Sequence, residues 1–235
     1  MAQKDQNLCW PAQNNYWSKA FEIFCRTMFK HYCPLQVFGL ENLCKKPFLI
    51  CSNHSSHIDS ALLMVGANLK FSQTGLIAAK DYFFDQSSKN YLHYLMNLVP
   101  IERKSGSKAL HDSIAICKAF LGDKERALII YPEGTRSSNG KISKFKEGAA
   151  IMAHELNIPM IPAYIDKAYL ALPKGSYVMR PTNISVSFGK PIFVKDFLVS
   201  SDLEDRKLIF NAYKEATLEL QNRVENLSKE RLQDV

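Results

Sequence analysis

The chain has 235 residues, of which 46% are hydrophobic, an ordinary share for a packed globular core. Its 30 basic and 23 acidic side chains leave a net charge of +7, which suits nucleic acid, anionic lipid or a phosphorylated substrate without choosing among them. No apolar run approaches the roughly 18 residues that a spanning helix needs, so no transmembrane helix is predicted. The polar start, MAQKDQNLCW, predicts no secretory signal, and the six cysteines are expected to be reduced thiols in a cytoplasmic protein.

The first predicted element is a helix over residues 16–32. Its apolar side chains recur at helical spacing, at positions 17, 20, 21, 24, 28 and 32, and the opposite face is polar and mildly basic. Two interpretations stay open. Either the apolar face covers the core, or the helix lies in a membrane interface.

Six β-type runs follow, and several of them are apolar throughout, as strands covered on both faces are. They span residues 35–40, 47–53, 75–80, 126–132, 158–165 and 183–189. Helical patterns lie between and after them, over residues 60–70, 88–99, 105–122, 145–157 and 202–230. This alternation predicts a single-domain α/β fold with a mixed, largely parallel sheet flanked by helices.

Two polar segments directly follow predicted strands. SNHSSHID follows PFLIC, and PEGTRSSNGK follows ALIIY. Ligands of α/β proteins bind beyond the carboxyl ends of strands, so we expect both segments to contribute to one site.

The first segment contains His54 and Asp59, an imidazole and a carboxylate that could act as a general base and its orienting partner. An alternative is a plain helix N-terminus, capped by serine or aspartate, with incidental histidines. His57 with Asp59 is a competing pair. Cys51, His54 and His57 hint at zinc but have no evident fourth ligand, and Cys51 lies within an apolar strand run that disfavours a nucleophile. No metal site is predicted.

The second segment offers backbone amides, hydroxyls and the guanidinium of Arg136, which are groups that bind phosphate. The P-loop order is absent, and a plain solvated turn is the alternative. Between positions 103 and 146 the chain has ten basic and four acidic residues, a difference of +6, so we expect an anionic partner near this half. Nucleic acid fits poorly, because no recognition motif accompanies the charge.

The order of these segments resembles the four blocks of the glycerolipid acyltransferases, most closely the 1-acylglycerol-3-phosphate (lysophosphatidic acid) acyltransferase group. That family has an N-H-x4-D block, a second block ending in arginine, an E-G-T-R-S block and a proline-bearing block. The matching residues are Asn53, His54 and Asp59; Arg103; Glu133, Gly134, Thr135, Arg136 and Ser137; and Pro159 and Pro162. The resemblance extends over roughly residues 30–195, and four blocks in order make it specific.

The resemblance implies roles for these residues. His54 would be the general base and Asp59 would orient it. The resemblance therefore favours the pair of His54 and Asp59 over the pair of His57 and Asp59. Arg103 and the third block, Glu133 to Ser137, would bind the phosphate or glycerol of the acceptor. Pro159 and Pro162 would shape a segment near the acyl donor.

The resemblance also implies an organisation and an activity. Residues 33–235 would be the acyltransferase domain, preceded by an N-terminal amphipathic helical segment over residues 1–32. Many members of the family have N-terminal membrane helices, whereas this chain has only the segment over residues 16–32, so our hypothesis is a peripheral attachment at a membrane interface. The enzyme would transfer an acyl group from acyl-CoA or acyl-ACP, without a cofactor, to a lysophospholipid, most of all 1-acylglycerol-3-phosphate. It would be peripheral on the cytoplasmic face of a membrane. Acylation of glycerol-3-phosphate or another lysolipid, and non-catalytic binding of anionic lipid, are the alternatives.

An acyl chain also requires an apolar groove. The aromatic residues at 82–84 and the segment 91–99 are candidates to line it, with simple core packing as the alternative.

Overall fold

A computed structural model describes residues 16–79, 94–102, 107–122, 125–198 and 206–233. The helices are α1 (Tyr16–His31), α2 (Asp59–Gly66), α3 (Ser107–Leu121), α4 (Gly148–Glu155), α5 (Ala168–Ala171) and α6 (Arg206–Gln233). The strands are β1 (Leu35–Phe38), β2 (Phe48–Ser52), β3 (Thr74–Ala79), β4 (Asn97–Ile101), β5 (Ala127–Ile130), β6 (Met160–Asp166) and β7 (Ile184–Phe188).

These strands form one seven-stranded sheet in the order β1-β7-β6-β2-β5-β3-β4. The five strands from β6 to β4 run parallel to one another. Strand β7 is antiparallel to β6, and β1 is parallel to β7. Strands β1 and β7 therefore run in the direction opposite to the other five. The predicted mixed, largely parallel sheet is confirmed.

The predicted helix over residues 88–99 is wrong at its end. Residues 94 and 95 are helical, but Asn97–Ile101 forms strand β4, paired in parallel with β3, and residues 88–93 lie outside the described residues. The buried Asn97 amide fixes the start of this strand by donating to the backbone carbonyls of Phe71, Ser72 and Thr74. A short apolar run has the same appearance in a buried strand and in a buried helix, so periodicity did not distinguish them.

Each face of the sheet is covered by helices, which explains the apolar character of the central strands. In β2, Phe48 and Ile50 face a core that includes residues of α1 and α2, whereas Leu49 and Cys51 face a core built with α3, α4 and α6. Side chains of a strand alternate between its two faces, so a strand buried on both sides must be apolar at every position.

Helix α1 contacts the core with one side and solvent with the other. Cys25 and Phe29 are buried, whereas Trp17, Ile23 and Phe24 are 67%, 58% and 59% exposed. The core-covering interpretation is confirmed for the buried side, and the membrane-interface interpretation of the exposed side stays a prediction. The segment predicted over residues 1–32 begins outside the described residues, which start at Tyr16.

Charged side chains attach α1 to the segment that precedes β3. Glu22 accepts hydrogen bonds from Arg26 Nε and from the Phe71 backbone amide, both at 3.0 Å. Arg26 donates to the Leu69 carbonyl at 2.9 Å. None of the helices in the described ranges is sufficiently long and apolar to cross a bilayer.

Candidate active site

The two polar segments singled out in the sequence meet at one edge of the sheet. The first connects β2 to α2, and the second follows β5, the parallel neighbour of β2. The first loop starts at Asn53, whose buried amide donates to the Ile165 carbonyl at 2.9 Å and accepts from the Ile165 amide at 2.8 Å. This pair of bonds to β6 fixes the residue that precedes His54.

His54 and Asp59 form the predicted pair. His54 Nδ1 lies 2.9 Å from Asp59 Oδ2, and the Asp59 side chain is fully buried whereas that of His54 is 21% exposed. An ionised carboxylate only accepts hydrogen bonds, so Nδ1 carries the proton and Nε2 has the free lone pair that a general base needs.

The Asp59 carboxylate also organises the loop between the two residues. Asp59 Oδ2 accepts from the backbone amides of Ser55 at 2.7 Å and Ser56 at 2.8 Å, which bends the chain back towards His54. The alternative of a helix capped by serine or aspartate is wrong, since the N-cap residue of α2 is Ile58 and no side chain caps the helix. The Ser56 hydroxyl instead donates to the Leu172 carbonyl at 2.8 Å.

The E-G-T-R-S segment binds the backbone of His54 on both sides. The His54 amide donates to Glu133 Oε1 at 2.8 Å, and the Ser137 amide donates to the His54 carbonyl at 2.7 Å. Glu133 Oε2 accepts from the Ser143 amide at 2.9 Å. Burial raises the pKa of the Glu133 carboxyl, and the two amide donors partly offset that rise. Glu133 thus has a supporting position, and its predicted contact with the acceptor stays a prediction.

Tyr131 is a residue of the site that the sequence interpretation missed. Its ring stacks on the His54 imidazole with centroids 3.9 Å apart and an interplanar angle of 12°. Its hydroxyl forms a 2.8 Å hydrogen bond with the Ser60 hydroxyl. Burial and the nearby Asp59 charge raise the pKa of Tyr131, so the phenol stays neutral. Its position as the first residue after β5 was the available signal.

The remaining residues of the third block surround an exposed turn. Gly134 has φ +71°, and a Cβ on it would lie 3.0 Å from Lys146 Nζ, so glycine lets the ammonium group approach the turn. Thr135 is exposed, and Arg136 and Ser137 are half-buried. Lys146 is a second residue not singled out in the sequence, although it belongs to the predicted basic half. Arg103 lies outside the described residues.

An apolar cavity of about 640 Å³ adjoins the first loop. It is lined mainly by α1 and the adjoining Tyr32, and its other lining residues are His57, Ile58, Ala61, Met96 and Met179. Met96 belongs to the segment predicted to line an acyl groove, whereas residues 82–84 and 91–93 of that prediction are outside the described residues. Its volume falls within the range of about 300–1,000 Å³ typical of sites for small apolar ligands.

The other predicted residues lie away from this cavity. Pro162 is within β6, and Pro159 directly precedes this strand and accepts from the Leu49 amide at 2.9 Å through its carbonyl. Neither proline lines the cavity. Their part in binding the donor stays a prediction. Burial raises the pKa of the Cys51 thiol, which disfavours a thiolate nucleophile. The five cysteines within the described ranges are free thiols.

The chain is similar in sequence to named proteins. The 1-acyl-sn-glycerol-3-phosphate acyltransferases of Limnanthes alba and Cocos nucifera are 29% identical over 180 residues and 32% identical over 164 residues. These alignments include 77% and 70% of this chain but 62% and 51% of the two relatives, so the chain spans between half and two thirds of their length.

The crystal structure of the 1-acyl-sn-glycerophosphate (LPA) acyltransferase PlsC from Thermotoga maritima has a TM-score of 0.61 to this chain at 27% identity. It matches 87% of this chain and 79% of its own. A family model described as Acyltransferase matches residues 34–166, which include both loops of the site. The chain therefore belongs to the Acyltransferase family.

Proposed function

We propose that the chain is an O-acyltransferase that acylates the free hydroxyl of a lysophospholipid, with 1-acylglycerol-3-phosphate as acceptor and phosphatidic acid as product. The observation that carries the proposal is the His54–Asp59 pair, with Nδ1 2.9 Å from the buried carboxylate and its backbone bound by the E-G-T-R-S loop. The relatives with this activity by name, and the family itself, support it.

In the proposed reaction, His54 Nε2 takes the proton of the acceptor hydroxyl while its oxygen attacks the thioester carbonyl. The new ester C–O bond forms, the C–S bond breaks, and the imidazolium returns the proton to the leaving thiolate. Asp59 stabilises the positive imidazolium formed between these steps. No acyl-enzyme is required, in agreement with the raised pKa and buried position of Cys51.

The acceptor phosphate would lie against the turn that contains Thr135 and Arg136. A hydroxyl, backbone amides and a guanidinium provide the donors that a phosphate monoester binds, and the Lys146 ammonium beside Gly134 adds a cation. Arg103 would complete this set, as the second block of the family implies.

An acyl chain would occupy the cavity beside the first loop. His57 and Ile58, which are among its lining residues, belong to the same loop as His54, so a chain lying there is close to the catalytic pair. The acyl donor would be a thioester of coenzyme A or of acyl carrier protein. The enzyme would work as a peripheral protein on the cytoplasmic face of a membrane, and nucleic acid would not be a partner.

The test is a matrix of labelled acyl-CoA and acyl-ACP donors against lysophosphatidic acid, glycerol-3-phosphate and a lysolipid without a free phosphate. We expect the highest turnover with lysophosphatidic acid. His54→Ala should lower kcat by about 10²–10⁴-fold or more, because a positioned general base contributes that much, while binding of lysolipid persists.

His111→Ala is the matched control, since His111 is an exposed histidine on α3, which contacts β4 at the edge of the sheet. Near-normal turnover of His54→Ala would show that His54 is not the base. Turnover only with a phosphate-free lysolipid would show that lysophosphatidic acid is not the acceptor. Lipid binding without turnover by any combination would favour the non-catalytic alternative.

A further inference from the structure

The side chains of Tyr177 and Val178 are exposed to an unusual degree. Tyr177 is 100% exposed, the largest value for any large hydrophobic side chain in the described part of the chain, and Val178 is 73% exposed. Two adjacent apolar side chains with this exposure contribute no burial of apolar surface to the core. Exposed apolar side chains of this kind mark a surface that a partner covers.

The turn that contains them, residues 173–180, is held by its own hydrogen bonds. The Val178 amide donates to the Ser176 hydroxyl at 3.2 Å. The Arg180 amide donates to the Ala171 carbonyl at 2.8 Å and closes the base of the turn. The exposure of its tip is therefore a property of a hydrogen-bonded turn.

This turn adjoins α1 and the apolar cavity. The Tyr32 hydroxyl, just beyond the end of α1, donates to the Met179 carbonyl at 3.0 Å, and Met179 lines the cavity together with Phe24 and Tyr32. Phe24 and Tyr32 are 59% and 46% exposed. Phe24 of the helix and Met179 of the turn thus line one cavity, and Tyr177 and Val178 directly precede Met179 in the chain.

Basic side chains accompany this apolar surface. Lys174 and Arg180 are exposed on either side of the tip, and Lys30 is exposed at the end of α1. None of the three forms an ion pair with another residue in the described ranges. Apolar and aromatic side chains next to unpaired cations match the interface of an anionic bilayer, where tyrosine is favoured and each basic residue is attracted.

We propose that the 173–180 turn is a membrane-contact element, which inserts Tyr177 and Val178 into the interface of an anionic phospholipid surface beside α1. The cavity then faces the layer that contains the lipid acceptor. This inference rests on the proposed function, because a lysophospholipid acceptor resides in a bilayer.

The test uses the full chain and flotation with vesicles of phosphatidylcholine mixed with phosphatidylglycerol. Tyr177→Ser with Val178→Ser should lower the partition coefficient by about tenfold or more, the size that burial of one aliphatic side chain supports. Lys174→Gln with Arg180→Gln should lower it by about 25-fold, since each basic residue contributes about fivefold, and only for vesicles that contain phosphatidylglycerol. Leu218→Ser is the control, because Leu218 is 61% exposed on α6, across the sheet from α1.

Turnover separates this inference from the proposed function. The Tyr177/Val178 variant should lose turnover with acceptor embedded in vesicles and keep it with a short-chain acceptor dissolved as monomers. Parent-like flotation of both double variants overturns the inference. A change from dimer to monomer by light scattering, with flotation unchanged, overturns it too, since a second copy then covers the turn. One outcome would support the inference and refute the proposed function: the parent chain floats with vesicles, the Tyr177/Val178 variant does not, and the parent chain has no turnover on any acceptor.

Discussion

The position of the His54 imidazole depends on contacts from three directions. Asp59 binds its Nδ1 atom, Tyr131 stacks on its ring, and the Glu133 carboxylate and Ser137 amide bind its backbone. As the proposed base, His54 must be held within a fraction of an ångström of its working position, so we expect each of these contacts to contribute to the rate.

The contribution of Tyr131 to the position of the imidazole can be measured, because its ring and its hydroxyl can be removed separately. Tyr131→Leu should lower kcat about tenfold, the upper size of an aromatic pair interaction, with KM for both substrates near the parent value. Tyr131→Phe keeps the stacked ring and loses only the bond to Ser60, so kcat should stay within about threefold. Steady-state kinetics at saturating donor gives both constants.

Denaturant unfolding of both Tyr131 variants is the control for loss of fold. Equal kcat for the leucine and phenylalanine variants would show that stacking does not position the imidazole. A rise in KM alone would instead make Tyr131 a substrate contact.

Helix α1 is the element whose two sides have different partners. Cys25 and Phe29 contact the core, whereas the exposed Phe24 lines the cavity and Tyr32, just beyond the helix, binds the 173–180 turn. The attachment through Glu22 and Arg26 must therefore hold the helix to the domain while its other side stays available.

Glu22→Ala should lower the free energy of unfolding by about 1–3 kcal/mol, because it leaves the Phe71 amide and the Arg26 Nε–H group without their acceptor. Lys19→Ala is the matched control on an exposed position of the same helix and should change it by less than about 0.5 kcal/mol. Urea unfolding of the three chains measures both values. Equal urea midpoints for Glu22→Ala and the parent would show that these hydrogen bonds do not attach α1 to the rest of the domain.

The elements were predictable to the extent that their signals are local. Six of the seven strands coincide with apolar β-type runs, and His54 and Asp59 were identified by the motif in which they occur. Strand β4 was missed because its apolar run follows a helical pattern. The reversed direction of β1 and β7, and the roles of Tyr131 and Asn53, depend on contacts between residues distant in sequence, which no local pattern reports.

At the scale of the whole molecule, the sheet brings together segments that are distant in the chain. Strands β2, β5 and β6 are neighbours, so the His54 loop, the Glu133 loop and Ile165 meet at one edge. The buried Glu133 carboxylate joins two of these segments, since its two oxygens accept the amides of His54 and Ser143. Its ionisation is therefore linked to global stability.

The expected pH dependence follows from the direction of the Glu133 shift. Burial raises its pKa in the folded state, so the unfolded chain ionises first as pH rises. Between the unfolded and the folded pKa the native state binds more protons, and stability falls with rising pH. Glu133→Gln removes this titration and leaves one amide without an acceptor, an offset of about 1–3 kcal/mol that does not vary with pH.

The free energy of unfolding of the parent minus that of Glu133→Gln should therefore decrease as pH rises from the ordinary glutamate range to the raised pKa, and should be constant above it. Urea unfolding at a series of pH values measures this difference. Glu215→Gln, an exposed change on α6, controls for the loss of one negative charge. A difference that increases with pH across this window would mean that the two amide bonds outweigh burial and that the pKa of Glu133 is lowered by folding.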